Sequence, residues 1–226
     1  MATISILLAD DHAVVRQGLR VLISQEDGME VVGEAENGRQ AVSLARTHRP
    51  AVVLMDVAMP LLNGVEATRQ IVRELKNTKV LMLSSYGDDN SLNQTIAAGA
   101  SGFLVKQTAA DEMLQAIREV AAGNSFFSPM VAQRLRERRF GTNAPDPNPA
   151  ASATAQLTAR EAEVLQLIAE GFANKQIADE LGISIKTVEK HRQQVLNKLN
   201  IHDVAGLTRH AVAMGIVGRE MRPLAI

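Results

Sequence analysis

The chain has 226 residues, 46 % of them hydrophobic, a formal net charge of −1 and no cysteine. That length holds one or two domains with ordinary cores, and the lack of cysteine excludes disulfides and thiolate-bound zinc. So even a charge balance gives no global bias toward nucleic acid or membrane, and any such site must come from local patterning.

From residue 4 to about 122, short apolar runs alternate with longer amphipathic ones. The runs Ile4–Ala9, Met29–Ala35, Ala51–Met55, Lys79–Leu83 and Gly102–Val105 predict strands. Patterns near 13–24, 38–48, 65–75, 89–98 and 109–122 predict helices, the last opening on a Thr108-x-x-Asp111 start signal. Five strands alternating with five helices imply a parallel, doubly wound α/β sheet covered on both faces. Ligands in such sheets bind at the carboxyl ends of the strands. The opening "MATISILLADDH" has no basic segment, and its apolar run is too short for a signal peptide. No stretch approaches the ~18 apolar residues of a membrane span. A soluble, cytoplasmic protein with no membrane partner is expected.

Residues 128–139, "SPMVAQRLRERR", predict one further short helix. Its Arg134, Arg136, Arg138 and Arg139 form either a solvated connector face or a support for DNA binding. "FGTNAPDPNPAASATAQ" (140–156) has little to bury and reads as an exposed linker. Helical patterns return at Leu157. Thr158 and Glu161 make a capping box, and the first helix stops at Gly171. Helices over 174–181, 184–199 and 203–217 follow, with a turn at Gly182 between the first two. The expected division is an α/β domain over 1–124, a connector over 125–156 and an all-α four-helix domain over 157–226.

Three carboxylates fall at strand ends: Asp10 and Asp11 after the first strand, Asp56 after the third. With those strands adjacent, the acids converge, repel and raise one another's pKa. A hard divalent cation relieves such a cluster, and an all-oxygen site suits Mg²⁺. Ser84 and Lys106 stand at the ends of the fourth and fifth strands. A hydroxyl and an ammonium beside a metal and a carboxylate make a phosphate site. Taken singly, each residue has a plainer role: a turn former, a loop hydroxyl, a solvated charge. Five of them at the carboxyl ends of four strands favour function.

On a helical wheel over 184–199, Val188, Val195, Leu196 and Leu199 share one side. Lys186, Thr187, Lys190, Gln193, Gln194, Asn197 and Lys198 share the other. Lysines contact phosphates, and Gln or Asn can read adenine in the major groove. The plainer alternative is the solvated face of a packing helix.

Residues 4–122 resemble the receiver domain of two-component response regulators, through "ADD", "LMDVAMPLLNG", "LSS" and "GASGFLVK". "LTAREAEVLQLIAEGFANKQIADELGISIKTVEKHRQQVLNKL" resembles the LuxR-type helix-turn-helix. Together they look like the NarL/FixJ family. The resemblance implies that Asp56 is the phosphoacceptor for a histidine kinase. It implies that Asp10, Asp11, Asp56 and the Ala58 carbonyl bind Mg²⁺, and that Ser84 and Lys106 grip the phosphoryl group. Phe103 takes the place of an aromatic switch residue, or is simply an aromatic packed at a strand edge. Many receivers have Pro where this chain has Gln107, and a cis bond there would cost ~3 kcal/mol.

The resemblance also sends helix 184–199 into the major groove of promoter DNA. Thr187, Lys190, His191 and Gln194 are expected near DNA, with Lys186 and Lys198 mainly on phosphates. His191 has packing as an equal alternative. Glu189 replaces a common Lys, and either accepts from cytosine or pairs with a cation. Ala173 replaces a common Ser. Val204, Leu207, Ala211 and Met214 are expected to form a dimer helix, or else to pack within their own unit. Two other functions compete with this one. A phosphohydrolase would need an acid where Ala58 stands, and the phosphate-loop and nucleophile-elbow motifs are missing. A receiver serving assembly alone would leave the acidic and lysine set without a purpose.

Overall fold

Strands buried on both faces read as continuous apolar runs rather than as alternating ones. In the computed structural model, which describes residues 3–85, 89–128, 131 and 157–217, the runs form β1 (Ile4–Ala9), β2 (Met29–Ala35), β3 (Val52–Asp56), β4 (Lys79–Ser84) and β5 (Gly102–Val105). Between and after them lie α1 (Ala13–Ser24), α2 (Gly38–His48), α3 (Gly64–Glu74), α4 (Asp89–Ala97) and α5 (Ala110–Ala121). A two-residue strand, β6 (Phe126–Phe127), extends the sheet beyond residue 124. The strand order is β2-β1-β3-β4-β5-β6, with every pair parallel.

Side chains alternate across the sheet into two cores. Leu7, Val53, Met55, Met82 and Phe103 pack with α2, α3 and α4. Ile6, Leu8, Leu54, Leu81 and Leu83 pack with α1 and α5. The chain separates into two compact units, Met1–Ala144 and Pro145–Ile226.

Three local expectations change. Asp56 and Ser84 close their strands instead of following them. Thr108 does not cap α5. Ala109 is the N-cap and makes no side-chain bond, because the helix starts one residue later and moves Asp111 out of the capping-box position. The described peptide bonds are all trans, Lys106–Gln107 included. The helix expected over 128–139 lies outside the described residues, save for Ser128 and Val131, both buried. The linker over 140–156 and the four arginines lie outside them too.

In the second unit, α6 (Ala159–Ala169), α7 (Asn174–Leu181), α8 (Ile185–Leu199) and α9 (Val204–Ala213) form the four expected helices. The capping box opens α6: Glu161 N–H donates to Thr158 Oγ1 (3.3 Å), and Thr158 N–H donates to Glu161 Oε2 (2.7 Å). Gly182 ends α7 in the left-handed region at φ +62°, and Ser184 caps α8. Val164, Leu165, Leu167 and Ile168 of α6 meet Ile177 and Leu181 of α7, Val188 and Val195 of α8, and Leu207 and Ala211 of α9 in the core. No helix among the described residues is long and apolar enough to cross a membrane.

Gly64, at the start of α3, packs directly on β3. A Cβ there would fall 1.8 Å from the Asp56 carbonyl oxygen, which is backbone and cannot swing away. Gly18, within α1, has nothing within 4 Å of such a Cβ. Gly64→Ala is expected to cost about 3 kcal/mol by overpacking. Gly18→Ala is expected to gain roughly 0.5–1 kcal/mol from helix propensity. Denaturant unfolding of the two variants checks both signs.

Candidate functional site

The parallel register brings the acidic residues together. β1 lies beside β3 with Ala9 opposite Met55, so the next residues, Asp10 and Asp56, emerge side by side. β4 and β5 follow, with Ser84 opposite Val105, and the Lys106 N–H donates to the Ser84 carbonyl (2.7 Å). Asp10 and Asp56 are almost wholly buried. One ammonium bridges them: Lys106 Nζ stands 2.7 Å from Asp10 Oδ2 and 2.9 Å from Asp56 Oδ2. Asp11 is more open, and the His12 ring nitrogen Nδ1 lies 2.8 Å from its Oδ1 and 3.2 Å from Asp10 Oδ1.

Burial of its carboxylate pushes Asp56 up from 3.8 to about 6; Lys106 opposes the rise, and Asp10 and Asp11 add to it. Burial alone would lower the Lys106 ammonium, but Asp56 and Asp10 outweigh it and hold its pKa above the usual lysine value. Asp10, Asp11, His12 and Asp56 place ligand atoms within 4.8 Å of one another. Three hard carboxylates so close, two of them buried, fit a divalent cation.

Ser84 is buried at the end of β4. Ala58 lies half-buried in the loop after β3. That loop turns tightly: Leu62 N–H donates to the Pro60 carbonyl (2.7 Å), with Leu61 held at φ +66°. Phe103 is fully buried in the core, in register between Met82 of β4 and Phe127 of β6. His12 was not singled out from the sequence, although it directly follows the acidic pair.

On α8, Lys186, Glu189, Lys190, Gln193 and Asn197 are exposed, while Thr187, His191 and Gln194 are half-buried. Thr187 Oγ1 lies 2.8 Å from the Ser184 hydroxyl, so it helps close the cap. Gln193 Nε2 donates to Asn197 Oδ1 (3.0 Å). Arg192 donates to Asn174 Oδ1 (3.2 Å) and ties α8 to α7. Lys198 is also turned to a structural partner, donating to buried Glu161 Oε2 at 2.7 Å. Burial opposes charge on Glu161, but the bonds from Lys198 and Thr158 outweigh it and lower its pKa. Ala173 caps α7 without a side-chain bond, and Gln176 Oε1 accepts its N–H instead (2.8 Å).

The expected dimer helix divides. Leu207, Ala211 and Met214 are buried within their own unit, because α9 turns that stripe onto α6. Val204 alone of the four is exposed. Leu207, Ala211 and Met214 therefore pack in the core of their own unit, as the second of the two readings has it.

The family pattern "Response regulator receiver domain" matches residues 6–118. The pattern "Bacterial regulatory proteins, luxR family" matches residues 155–211. The chain is 35 % identical to the oxygen regulatory protein NreC of Staphylococcus carnosus (strain TM300), over 92 % of this chain and 96 % of that one. It is 38 % identical to the response regulator protein VraR of Staphylococcus aureus (strain NCTC 8325 / PS 47), over 89 % of this chain and 92 % of that one. The crystal structure of the response regulator ChrA, from a heme-sensing two-component system, aligns with a TM-score of 0.52 at 29 % identity, covering 96 % of this chain and all of that one.

The Asp56 carboxyl gives a test that needs no ligand. Its pKa is higher folded than unfolded, so the native state holds the proton more tightly, and stability falls as pH rises from 3.8 through about 6. In metal-free buffer, Asp56→Asn is expected to melt above the parent at pH 7. The gain is on the order of 3 kcal/mol at most. The advantage should fade as pH is lowered toward 4, as read by thermal denaturation of both proteins across that range.

Proposed function

The chain belongs to the NarL/FixJ family of two-component response regulators, with a receiver domain and a LuxR-type DNA-binding domain, and from that premise we propose how its residues divide the work. It is a signalling regulator of transcription and not a catalytic enzyme. The receiver spans 1–124, the connector 125–156, whose β6 adds a last strand to the receiver sheet, and the DNA-binding domain 157–226. Asp56 accepts a phosphoryl group from a phosphohistidine of a sensor histidine kinase. A carboxylate oxygen attacks phosphorus, the P–O bond forms, the P–N bond breaks, and the imidazole leaves.

The observation that carries this reading is Lys106 between Asp10 and Asp56. Phosphoryl transfer needs an in-line nucleophile and neutralised equatorial oxygens more than it needs an acid or base. Lys106, held 2.9 Å from the nucleophile, supplies one such charge. Ser84 donates a hydroxyl from the neighbouring strand end. Asp10, Asp11 and Asp56, with the Ala58 carbonyl, would hold Mg²⁺, which when bound offsets the charge of the acids and the incoming phosphate. Ala58 offers no side chain to activate water, which suits a phosphoryl group that persists as a signal. Phe103 is the proposed aromatic switch, and its burial means that it would act through the core. The protein works in the cytoplasm.

On DNA, α8 enters the major groove. Lys186 and Lys190 face phosphates, and Thr187, Glu189, His191 and Gln194 lie toward the bases. Lys198 contributes by holding α8 on α6. Phosphorylation shifts an existing equilibrium toward a DNA-competent homodimer on paired half-sites. Val204 is the one residue of the expected dimer stripe open to a partner.

Two outcomes test the reading. Asp56→Asn is expected to abolish acyl-phosphate labelling by a small phosphodonor with Mg²⁺, and to lose the phosphodonor-dependent rise in promoter affinity. Unchanged DNA affinity in that variant would leave the receiver as an assembly module only. Separately, Lys190→Ala is expected to weaken DNA binding at every sequence and to lower the salt slope by about 1. Lys198→Ala is expected to destabilise the helical unit by about 1 kcal/mol and so lower its melting temperature, because the Glu161 carboxylate keeps only its bond from the Thr158 N–H.

A further inference from the structure

A buried guanidinium lies directly behind the acidic cluster. Arg16 projects from the first turn of α1 and is only 7 % exposed. A charge so buried must be paired and hydrogen-bonded. Its NH1 donates to the backbone carbonyl of Asp10 at 2.7 Å. Its NH2 donates to Glu36 Oε1 at 2.6 Å, and its Nε stands 3.7 Å from Glu34. Glu34 is shared with Arg20 at 2.7 Å, so Glu36 is the acid that anchors Arg16 most directly.

The Asp10 backbone is therefore held on both sides, through the peptide before it and the peptide after it. Its N–H donates to the Ala35 carbonyl (3.1 Å), and its C=O is taken by Arg16. Asp10 Oδ1 in turn accepts from the His12 N–H at 2.9 Å. The peptide that joins Asp10 to Asp11 thus cannot rotate without breaking the bond from Arg16. Both carboxylates hang from that peptide.

We propose that Arg16, anchored by Glu36, is a positioning residue that fixes the Asp10–Asp11 peptide and so sets the affinity of the acidic cluster for a divalent cation. This deepens the proposed reading of that cluster and rests on it. Partners behind metal ligands orient them, and their loss typically weakens metal binding 10–100-fold. Lysine cannot replace the fork, because one ammonium cannot hold a carbonyl and a carboxylate in the same rigid geometry.

The test is Mg²⁺ titration of the full chain by calorimetry, beside acyl-phosphate formation from acetyl phosphate as a function of Mg²⁺. Arg16→Ala is expected to raise the Mg²⁺ dissociation constant by about 10–100-fold. The Mg²⁺ midpoint for acyl-phosphate formation should move with it, and excess Mg²⁺ should restore the rate. Arg16→Lys and Glu36→Gln should move both midpoints the same way by less. Arg46→Ala is the control: it breaks an arginine fork to Glu74 that joins α2 to α3, and should leave both midpoints in place. Mg²⁺ affinity in Arg16→Ala equal to that of the parent overturns the proposal. So does an equal loss in Arg46→Ala, which would mark a general loosening. If Arg16→Ala does not fold, parental Mg²⁺ affinity in both Arg16→Lys and Glu36→Gln overturns it. A parent that binds Mg²⁺ but takes no phosphoryl group refutes Asp56 as acceptor, while the calorimetric comparison still decides the role of Arg16.

Discussion

Two buried carboxylates share one ammonium at the carboxyl edge of a parallel sheet, and the first unit is organised around that crowding. Asp10 and Asp56 come from adjacent strands, and Lys106 arrives from two strands away. Like charges in a low-dielectric site are costly, and the cost shows in the raised pKa of Asp56. A cluster left partly uncompensated in this way has a standing demand for positive charge. That demand favours a metal ion first, and then a phosphate that brings both a bond and further need for cations. The scaffold can hold such a cluster because the strands below it bury apolar side chains on both faces, in two cores packed against five helices.

The helical unit uses buried charge differently. Glu161 is satisfied twice, by its own helix start and by Lys198 from α8. Arg160 bonds to Glu163 at 2.7 Å and to the Leu181 carbonyl at 2.6 Å, joining α6 to the end of α7. With Arg192 bonded to Asn174, every helix of the turn motif is tied to another by at least one charged side chain. These pairs are complete, so they fix geometry rather than invite a ligand. The contrast with the acidic cluster is chemical: these buried charges are paired within the helical unit, and the acidic cluster keeps an unbalanced set at its mouth.

Much of this was legible in the sequence because burial on both faces leaves an unmistakable apolar run, and because strand ends are where charge reappears. The five main strands, the nine helices among the described residues and the acid–lysine set followed from that. What escaped has a common cause in tertiary placement. β6 is two residues long and has no period to read. It exists because Gly102 lacks the Cβ that would fall 2.5 Å from the Phe126 carbonyl. Helical wheels found the apolar stripe of α9 but not its direction, so interface and core stood as equal readings of it. Lys198 looked like part of a basic face because its partner, Glu161, lies 37 residues away in sequence. Arg16 and Glu36 are 20 residues apart, and neither carries a local pattern that announces a pair.

The same tertiary pairings alter how strongly α8 can hold DNA. By sequence, Lys186, Lys190, Arg192 and Lys198 stand against Glu189 alone. In the fold, Lys198 is exposed but paired with Glu161 and Arg192 is bonded to Asn174, so Lys186 and Lys190, beside Glu189, are the exposed cations of this helix with no such tie among the described residues. Affinity for a duplex grows with the number of phosphates neutralised, and so few contacts from one helix make a weak hold. Joining two such units turns the second contact into an intramolecular event and multiplies affinity with no new side chain. A helix with a modest charge is therefore well matched, in the proposed reading, to control by pairing, where bringing two copies together would decide occupancy. In the proposed reading that decision belongs to the phosphoryl group on Asp56, and α8 itself need not change for the switch to work.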